Sequence, residues 1–171
     1  MTVDLPDLGA MGAFGARIAA LLRPGDVVAL SGGLGAGKTT LARAIIAGLG
    51  HVGEVPSPTF AIIEVYDPPA VRLPLVHADF YRLKSPREAE EIGLDDYREG
   101  AALIAEWPEC AGGFADEPGC LSILLKNTGL LKNTGLLKNT GLLKNTGLLE
   151  NAGTGRIAIV EPGDDWVGRL P

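Results

Sequence analysis

Residues 26–49 read DVVALSGGLGAGKTTLARAIIAGL, and this stretch decides the fold. The apolar beginning predicts a short strand over residues 26–31, and the Ala- and Leu-rich end predicts a helix over residues 39–49. Between them, residues 32–39 match the pattern GxxxxGK(S/T). Such a pattern forms a phosphate-binding loop when it follows a strand and opens a helix. The sequence therefore predicts a P-loop nucleotide-binding protein.

The residues of this loop suit the chemistry of phosphate binding. Glycines let successive backbone N–H groups converge on a β-phosphate, and the start of the helix adds the positive end of its dipole. Lys38 is expected to bridge the β- and γ-phosphates, and the Thr39 hydroxyl to bind Mg²⁺. The predicted cofactors are thus ATP and Mg²⁺. The predicted nucleotide-binding residues are Gly33, Leu34, Gly35, Ala36, Gly37, Lys38, Thr39 and Thr40.

Two acidic residues follow apolar runs and are candidates to complete the site. Asp79 ends the run of residues 73–78, as the metal-binding aspartate of a Walker B strand does, although a helix cap or surface turn would also fit. Glu106 ends a predicted strand over residues 101–105 and could bind Mg²⁺, orient the attacking water or merely end the strand. The predicted catalytic residues are Lys38, Asp79 and Glu106, and the predicted metal ligands are Thr39, Asp79 and Glu106.

A loop and two further side chains are weaker candidates. Residues 57–60 read SPTF, and two prolines stiffen a loop that presents hydroxyl groups. This design is expected of a segment that senses a γ-phosphate, but a rigid turn fits equally well. His77 is expected to pack or to form a hydrogen bond. Trp107 is expected either near the nucleotide or in the core.

The remaining patterns predict one domain over residues 1–171. Strands alternating with helices around a phosphate loop predict an α/β fold, a P-loop NTPase three-layer sandwich with a mostly parallel (mixed) central sheet. The helix with Ser85, Pro86 and Glu88 at its start should carry an N-cap and a capping box. The other predicted elements are a helix over residues 10–22, a hairpin of strands 61–66 and 71–78, and strands 121–125 and 156–161.

A repetitive tract lies between the last two predicted strands. LLKNTG occurs four times in succession over residues 124–147, and an altered copy, LLENAG, follows to residue 153. Thirty residues at a six-residue period are too few to bury a solenoid core. Residues 124–153 are therefore predicted to be an insertion in a surface loop between late strands, with an interaction module as the alternative.

Composition limits the classes of function. The formal net charge of −6 argues against strong direct binding to nucleic acid. Cys110 and Cys120 have no metal-binding spacing and are expected to be reduced thiols. The sequence shows neither an export signal nor an apolar run of the ~20 residues that cross a bilayer, so the expected location is the cytoplasm, without a membrane.

Four motifs, taken together, resemble one family. They are LxGxLGAGKTT at the loop, SPTF, HADFYRL and EWPE, in this order, and they are similar to those of the TsaE (YjeE) family of bacterial ATPases. The similarity covers most of residues 10–125 and extends to the C-terminal tail. It implies a small P-loop ATPase required for the threonylcarbamoyladenosine (t6A) modification of tRNA. It also implies that the protein acts with TsaD and TsaB and meets tRNA indirectly, through that complex.

The resemblance also implies roles for particular residues. The residues that serve nucleotide and Mg²⁺ in the family correspond to Lys38, Thr39, Asp79 and Glu106, and Thr59 belongs to its switch-like segment. The chain departs from the family at Gly33, where aspartate is usual, at residues 10–11, where a threonine is usual, and in the repetitive tract.

The leading hypothesis is a slow ATPase whose turnover depends on partners, because no arginine finger is evident in the sequence. A small-molecule P-loop kinase is one alternative. The other is a nucleotide-gated binding module that hydrolyses nothing.

Overall fold

A computed structural model describes residues 1–128 and 155–171 of the protein. These residues form one seven-stranded sheet with the strand order β1-β7-β6-β2-β5-β4-β3. The strands are β1 (Thr2–Leu5), β2 (Val27–Ser31), β3 (Ile63–Tyr66), β4 (Leu75–Asp79), β5 (Ala102–Glu106), β6 (Cys120–Asn127) and β7 (Arg156–Pro162).

The middle of the sheet is parallel and its margins are antiparallel. Strands β4, β5, β2 and β6 run in one direction, whereas β3 pairs antiparallel with β4, and β7 pairs antiparallel with β6. The hairpin predicted for β3 and β4 is present. Strand β2 lies at the centre, so the loop that follows it opens at the edge where parallel strands end, which is where α/β proteins bind ligands.

Helices cover both faces of the sheet, which confirms the predicted α/β class. Helices α1 (Leu8–Leu21) and α2 (Lys38–Gly48) contact each other and bury one face. On the other face, α3 (Pro86–Glu91) and α4 (Leu94–Arg98) cover the part of the sheet around β4 and β5.

Several local predictions differ from the structure, among them the start of β3, which is Ile63 rather than residue 61, and the start of α1, which is Leu8 rather than residue 10. Strand β1 is absent from the predicted elements, and it forms only by pairing with β7 at the far end of the chain. Strand β4 begins at Leu75 rather than at residue 71. The predicted capping box of α3 is wrong: within the described residues the Ser85 side chain makes no cap hydrogen bond, and Glu88 Oε2 accepts from the backbone N–H of Lys84 at 3.2 Å.

The C-terminal tail closes the end of the sheet opposite the loop. Trp166 is fully buried, and its indole N–H donates to Gly119 O at 2.9 Å. Arg169 binds both carboxylate oxygens of Asp26 at 2.6 and 2.7 Å, and its guanidinium lies 4.1 Å from the centre of the Trp166 ring. These contacts fasten the tail to the start of β2.

The repetitive tract is described only at its beginning. The first copy contributes residues 124–127 to β6, so the prediction that the loop insertion begins at residue 124 is wrong. From residue 129 to residue 153, the predicted insertion lies outside the described residues. In the described part of the chain, no helix has the length and apolar character needed to cross a membrane.

Candidate functional site

The P-loop connects β2 to α2, and two of its glycines are required by the geometry. Gly32 has φ +134°, and a Cβ there would collide with the carbonyl oxygen of Leu125. Gly37 is the N-cap of α2 with φ +105°, in a region that side chains disfavour. Gly33 differs, because among the described residues nothing lies within 4 Å of a Cβ built there. The loop therefore has room for a side chain at position 33.

The Lys38 side chain folds back over its own loop. Its Nζ donates to Gly32 O at 2.8 Å and to Gly33 O at 3.1 Å, and it lies 3.6 Å from the centre of the Trp107 ring. Burial lowers the pKa of Lys38 below its usual value, and the negative charge of Glu106 is the largest influence opposing that shift. A phosphate in the cradle would favour the charged ammonium in the same way.

Glu106 is buried at the end of β5 and has a partner on each oxygen. Its Oε2 accepts from Thr39 Oγ1 at 2.8 Å, and its Oε1 lies 3.0 Å from His77 Nε2. An ionised carboxylate can only accept, so this contact places the ring proton on Nε2. His77 is fully buried, and its Nδ1 has no hydrogen-bond partner among the described residues. The predicted role of His77 as a hydrogen-bonding residue agrees with this geometry.

Asp79 ends β4 and is held by the loop that carries SPTF. Its Oδ2 accepts from Thr59 Oγ1 at 2.7 Å, and its Oδ1 accepts from the backbone N–H of Tyr81 at 3.0 Å. The Thr59 hydroxyl is also 2.9 Å from that of Ser57. Asp79 is paired in register with Glu106 on the neighbouring strand. The candidate switch residue thus contacts a candidate metal ligand directly.

Trp107 follows Glu106 in an unusual backbone conformation. Its φ of +57° lies in the left-handed region, where a residue with a side chain stores about 1–3 kcal/mol of strain. This turn places the ring above the Lys38 ammonium and 4.9 Å from the centre of the Tyr81 ring. Of the two roles predicted for Trp107, the structure favours the one beside the P-loop.

A cavity of about 320 Å³ joins these groups. Its walls include the predicted residues Leu34, Gly35, Gly37, Lys38, Thr39, Thr40, Thr59, Asp79 and Glu106. Among the described residues that line the cavity, the predicted Gly33 and Ala36 are missing: the Gly33 carbonyl accepts from Lys38, and Ala36 is buried within the loop. The wall also contains Arg156, the first residue of β7, whose Nε donates to Ala36 O at 2.8 Å.

A sequence model of the family described as "Threonylcarbamoyl adenosine biosynthesis protein TsaE" matches residues 5–132. The chain belongs to the TsaE family. The match contains the P-loop, Thr59, Asp79 and Glu106, and it ends before Arg156. The family indicated by the four sequence motifs is therefore confirmed.

Relatives and a solved structure agree with the TsaE family. Over 96 residues the chain is 49% identical to "tRNA threonylcarbamoyladenosine biosynthesis protein TsaE" of Streptomyces coelicolor, covering 56% of this chain and 65% of that protein. The protein of the same name from Haemophilus influenzae is 37% identical over 123 residues, covering 68% and 77%. A crystal structure of YdiB from Bacillus subtilis superposes with a TM-score of 0.63 at 26% identity, covering 99% of this chain and 90% of that one.

Arg156 and Tyr81 line the cavity but are not among the site residues predicted from the sequence. Tyr81 lies within the HADFYRL motif, so its neighbourhood was marked although the residue itself was not. Arg156 had only an indirect signal. The strand predicted over residues 156–161, paired antiparallel with its predecessor, would bring its first residue to the P-loop edge.

Proposed function

We propose that this member of the TsaE family binds ATP and Mg²⁺ in the cavity and hydrolyses ATP slowly. One observation carries the proposal: the Lys38 ammonium, the Thr39 hydroxyl and the carboxylates of Asp79 and Glu106 converge where the P-loop enters α2. A cation and hard oxygen ligands beside a glycine-rich helix start suit a phosphate chain with a divalent ion.

Lys38 and the loop backbone would bind the phosphates. Lys38 would exchange the carbonyls of Gly32 and Gly33 for phosphate oxygens, which are stronger acceptors because they are charged. The backbone N–H groups in the first turn of a helix have no acceptor within that helix. Those at the start of α2 are therefore suited to bind an anion.

Thr39, Asp79 and Glu106 would hold Mg²⁺. One hydroxyl and two carboxylates are the hard oxygen ligands that this ion uses together with phosphates and water. When bound, Mg²⁺ would neutralise charge that develops on the phosphate oxygens during transfer. Glu106 has an alternative role: in place of a contact to the ion, its carboxylate would orient the attacking water and accept its proton.

The existing hydrogen bonds of the site are consistent with slow turnover by the isolated protein. Glu106 is already bonded to Thr39, and Asp79 to Thr59, so both carboxylates must exchange partners before they can act. Such rearrangements are commonly driven by a partner that stabilises the active arrangement. The isolated protein is therefore expected to hydrolyse ATP slowly.

We also propose that this hydrolysis supports the t6A modification of tRNA, together with TsaD and TsaB, in the cytoplasm. The names of the relatives and of the family support the pathway. The net charge of −6 favours contact with tRNA through partner proteins rather than directly. The family model does not match residues 133–171, so this part of the chain does not support the assignment to the pathway.

Two measurements test the proposal. Calorimetry with Mg-ATP should show binding to the wild type and loss of binding in Lys38→Ala, with Arg87→Ala, an exposed arginine in α3, as a matched loss of one charge. No heat of binding from folded wild-type protein would contradict the nucleotide site.

The second measurement addresses the pathway. The wild type or Lys38→Ala is added to TsaB, TsaD and tRNA supplied with threonylcarbamoyl-adenylate, and the modified nucleoside is quantified over several turnovers. We expect the wild type to raise the yield and Lys38→Ala to leave it at the level without added protein. Equal yields with and without the wild type would refute the pathway while leaving ATP binding intact.

A further inference from the structure

His77 is a polar residue in a part of the sheet where an apolar residue is expected. It lies in the middle of β4, where the other residues before Asp79 are Leu75, Val76 and Ala78. The His77 side chain is fully buried. Strands of a parallel sheet that helices cover on both faces normally consist of apolar residues. Packing alone therefore does not account for an imidazole at this position.

Only one of the two ring nitrogens of His77 has a partner among the residues that the structure describes. Nε2 lies 3.0 Å from Glu106 Oε1, whereas Nδ1 is buried without a hydrogen-bond partner. A buried polar atom without a partner destabilises a fold. The ring is present in spite of this cost, and the group that it contributes is the Nε2–H donated to Glu106.

The bond from His77 restricts the orientation of the Glu106 carboxylate. The last torsion of a glutamate side chain is broad, so a carboxylate held at one oxygen can still turn. Here both oxygens are held, because Oε1 accepts from His77 inside the core and Oε2 accepts from Thr39 Oγ1 at 2.8 Å in the cavity wall. His77 is not among the described residues that line the cavity. It therefore contacts Glu106 from behind the site.

We propose that His77 is a positioning residue for hydrolysis, because its Nε2–H holds Oε1 of Glu106 and thereby directs Oε2 into the cavity. This inference rests on the proposed function. A carboxylate that is already oriented loses no torsional freedom when it acts on the attacking water or the ion. His77 touches neither of them itself. Its removal should thus slow the chemical step and leave the affinity for ATP unchanged.

The first test separates the rate of hydrolysis from the affinity for nucleotide. Single-turnover phosphate release and Mg-ATP calorimetry are measured for the wild type, His77→Phe, His77→Asn and His77→Gln. Phenylalanine keeps a ring without an N–H. The amide of glutamine reaches about as far as Nε2, whereas that of asparagine reaches only as far as Nδ1. The control is His51→Gln, which changes a half-buried histidine beyond the end of α2.

We expect His77→Phe and His77→Asn to lower the single-turnover rate constant roughly tenfold or more, with the dissociation constant of Mg-ATP unchanged. His77→Gln should recover most of the rate, and His51→Gln should match the wild type. An unchanged rate, a loss of ATP affinity as large as the loss of rate, or equal rates in His77→Asn and His77→Gln would each overturn the proposal. The last comparison decides even where His77→Phe fails to fold.

A second test asks whether His77 acts through Glu106. The rate is measured for Glu106→Gln with and without His77→Phe. If the ring only positions the carboxylate, the second substitution should add little to the loss caused by the first. Losses that multiply would show that His77 acts independently of Glu106, which would overturn the proposal.

A third test does not depend on hydrolysis. The chain contains two histidines, so labelling with ¹⁵N-histidine gives two sets of ring signals in NMR spectra, and His51→Gln identifies those of His77. We expect the proton of His77 on Nε2 in the protein without nucleotide. A bare Nε2 would overturn the proposal, because the ring would then have no proton to donate to Glu106. A folded wild type that neither binds nor hydrolyses Mg-ATP would instead refute the proposed function, and this inference with it.

Discussion

Asp79 and Glu106 are the last residues of neighbouring parallel strands and are paired in register. Each accepts a hydrogen bond from a threonine hydroxyl, Asp79 from Thr59 and Glu106 from Thr39. Those threonines belong to two different segments, so the two carboxylates connect the P-loop to the SPTF segment.

Replacing Glu106 with Gln should abolish most hydrolysis while nucleotide binding remains. The amide keeps the shape but cannot serve as a base, and loss of general base catalysis typically costs about 10²–10⁴-fold in rate. Phosphate release under single-turnover conditions and ATP calorimetry measure the two properties. Glu90→Gln, an exposed residue of α3, is the control. Wild-type hydrolysis by Glu106→Gln would contradict the role of Glu106 as the base. The binding module that hydrolyses nothing would be favoured if Glu106→Ala left complex assembly and tRNA modification unchanged while Lys38→Ala abolished both.

Replacing His77 with Phe should destabilise the protein by about 1–3 kcal/mol, because the buried Glu106 carboxylate loses a hydrogen-bond partner. Urea unfolding gives the free energy of unfolding. The same substitution in a Glu106→Leu background should cost less, since the two residues would no longer interact. Equal costs in the two backgrounds would show that the contact contributes nothing.

Glycine substitutions in the P-loop should have opposite outcomes at adjacent positions. Gly32→Ala should lose nucleotide binding or fold poorly, because its Cβ would collide with Leu125 O and its φ is +134°. Gly33→Ala and Gly33→Asp should fold as the wild type does, since a Cβ there has room among the described residues. Thermal unfolding and ATP calorimetry check both. A destabilised Gly33→Ala would contradict the loop geometry.

The two thiols should react slowly and become more reactive only at high pH or on unfolding. Burial raises the pKa of Cys120 and also that of Cys110, where Glu109 adds to the effect. A thiol with a raised pKa in the folded protein stabilises it fully below the unfolded pKa of about 8.5, and this contribution is lost as the pH rises through the folded pKa. Labelling with Ellman's reagent, with and without urea, measures the reactivity of the two thiols at about pH 8, near the unfolded pKa. Rapid labelling of Cys120 in the folded protein would contradict it.

Replacing Arg169 with Ala should destabilise the fold by about 3–5 kcal/mol without affecting nucleotide affinity, because Asp26 would remain as a buried charge without its guanidinium partner. Urea unfolding and ATP calorimetry measure the two effects. Arg87→Ala, whose ion pair with Glu91 is exposed, should change stability by less than about 1 kcal/mol. A similar small change in Arg169→Ala would show that the tail is not fastened at this point.

Much of the P-loop and its surroundings could be predicted from sequence because the signals are local. A strand, a glycine loop and a helix follow one another within residues 26–49, and each acidic candidate ends an apolar run. The carboxyl ends of parallel strands meet at one edge, so the amino-acid sequence alone was enough to expect Asp79 and Glu106 near Lys38.

Features that depend on distant pairing could not be predicted in this way. Strand β1 has only four residues, of which Thr2 and Asp4 are exposed, and its partner β7 lies near the other end of the chain. Arg156 reaches the P-loop only because β7 returns antiparallel to β6. The expected capping box failed for a different reason: Glu88 reaches one residue further back, to Lys84.

The placement of the two tryptophans gives the protein two separate optical reporters. The Trp107 ring lies against the Lys38 ammonium at the P-loop. Trp166, in the C-terminal tail, is fully buried at the other end of the sheet. Fluorescence quenching of the first should follow ligand entry, and the emission of the second should shift to longer wavelength only when the core opens. A Trp166→Phe variant would then report ligand entry without the signal of the buried ring, and Trp107→Phe would report unfolding without the signal of the P-loop ring.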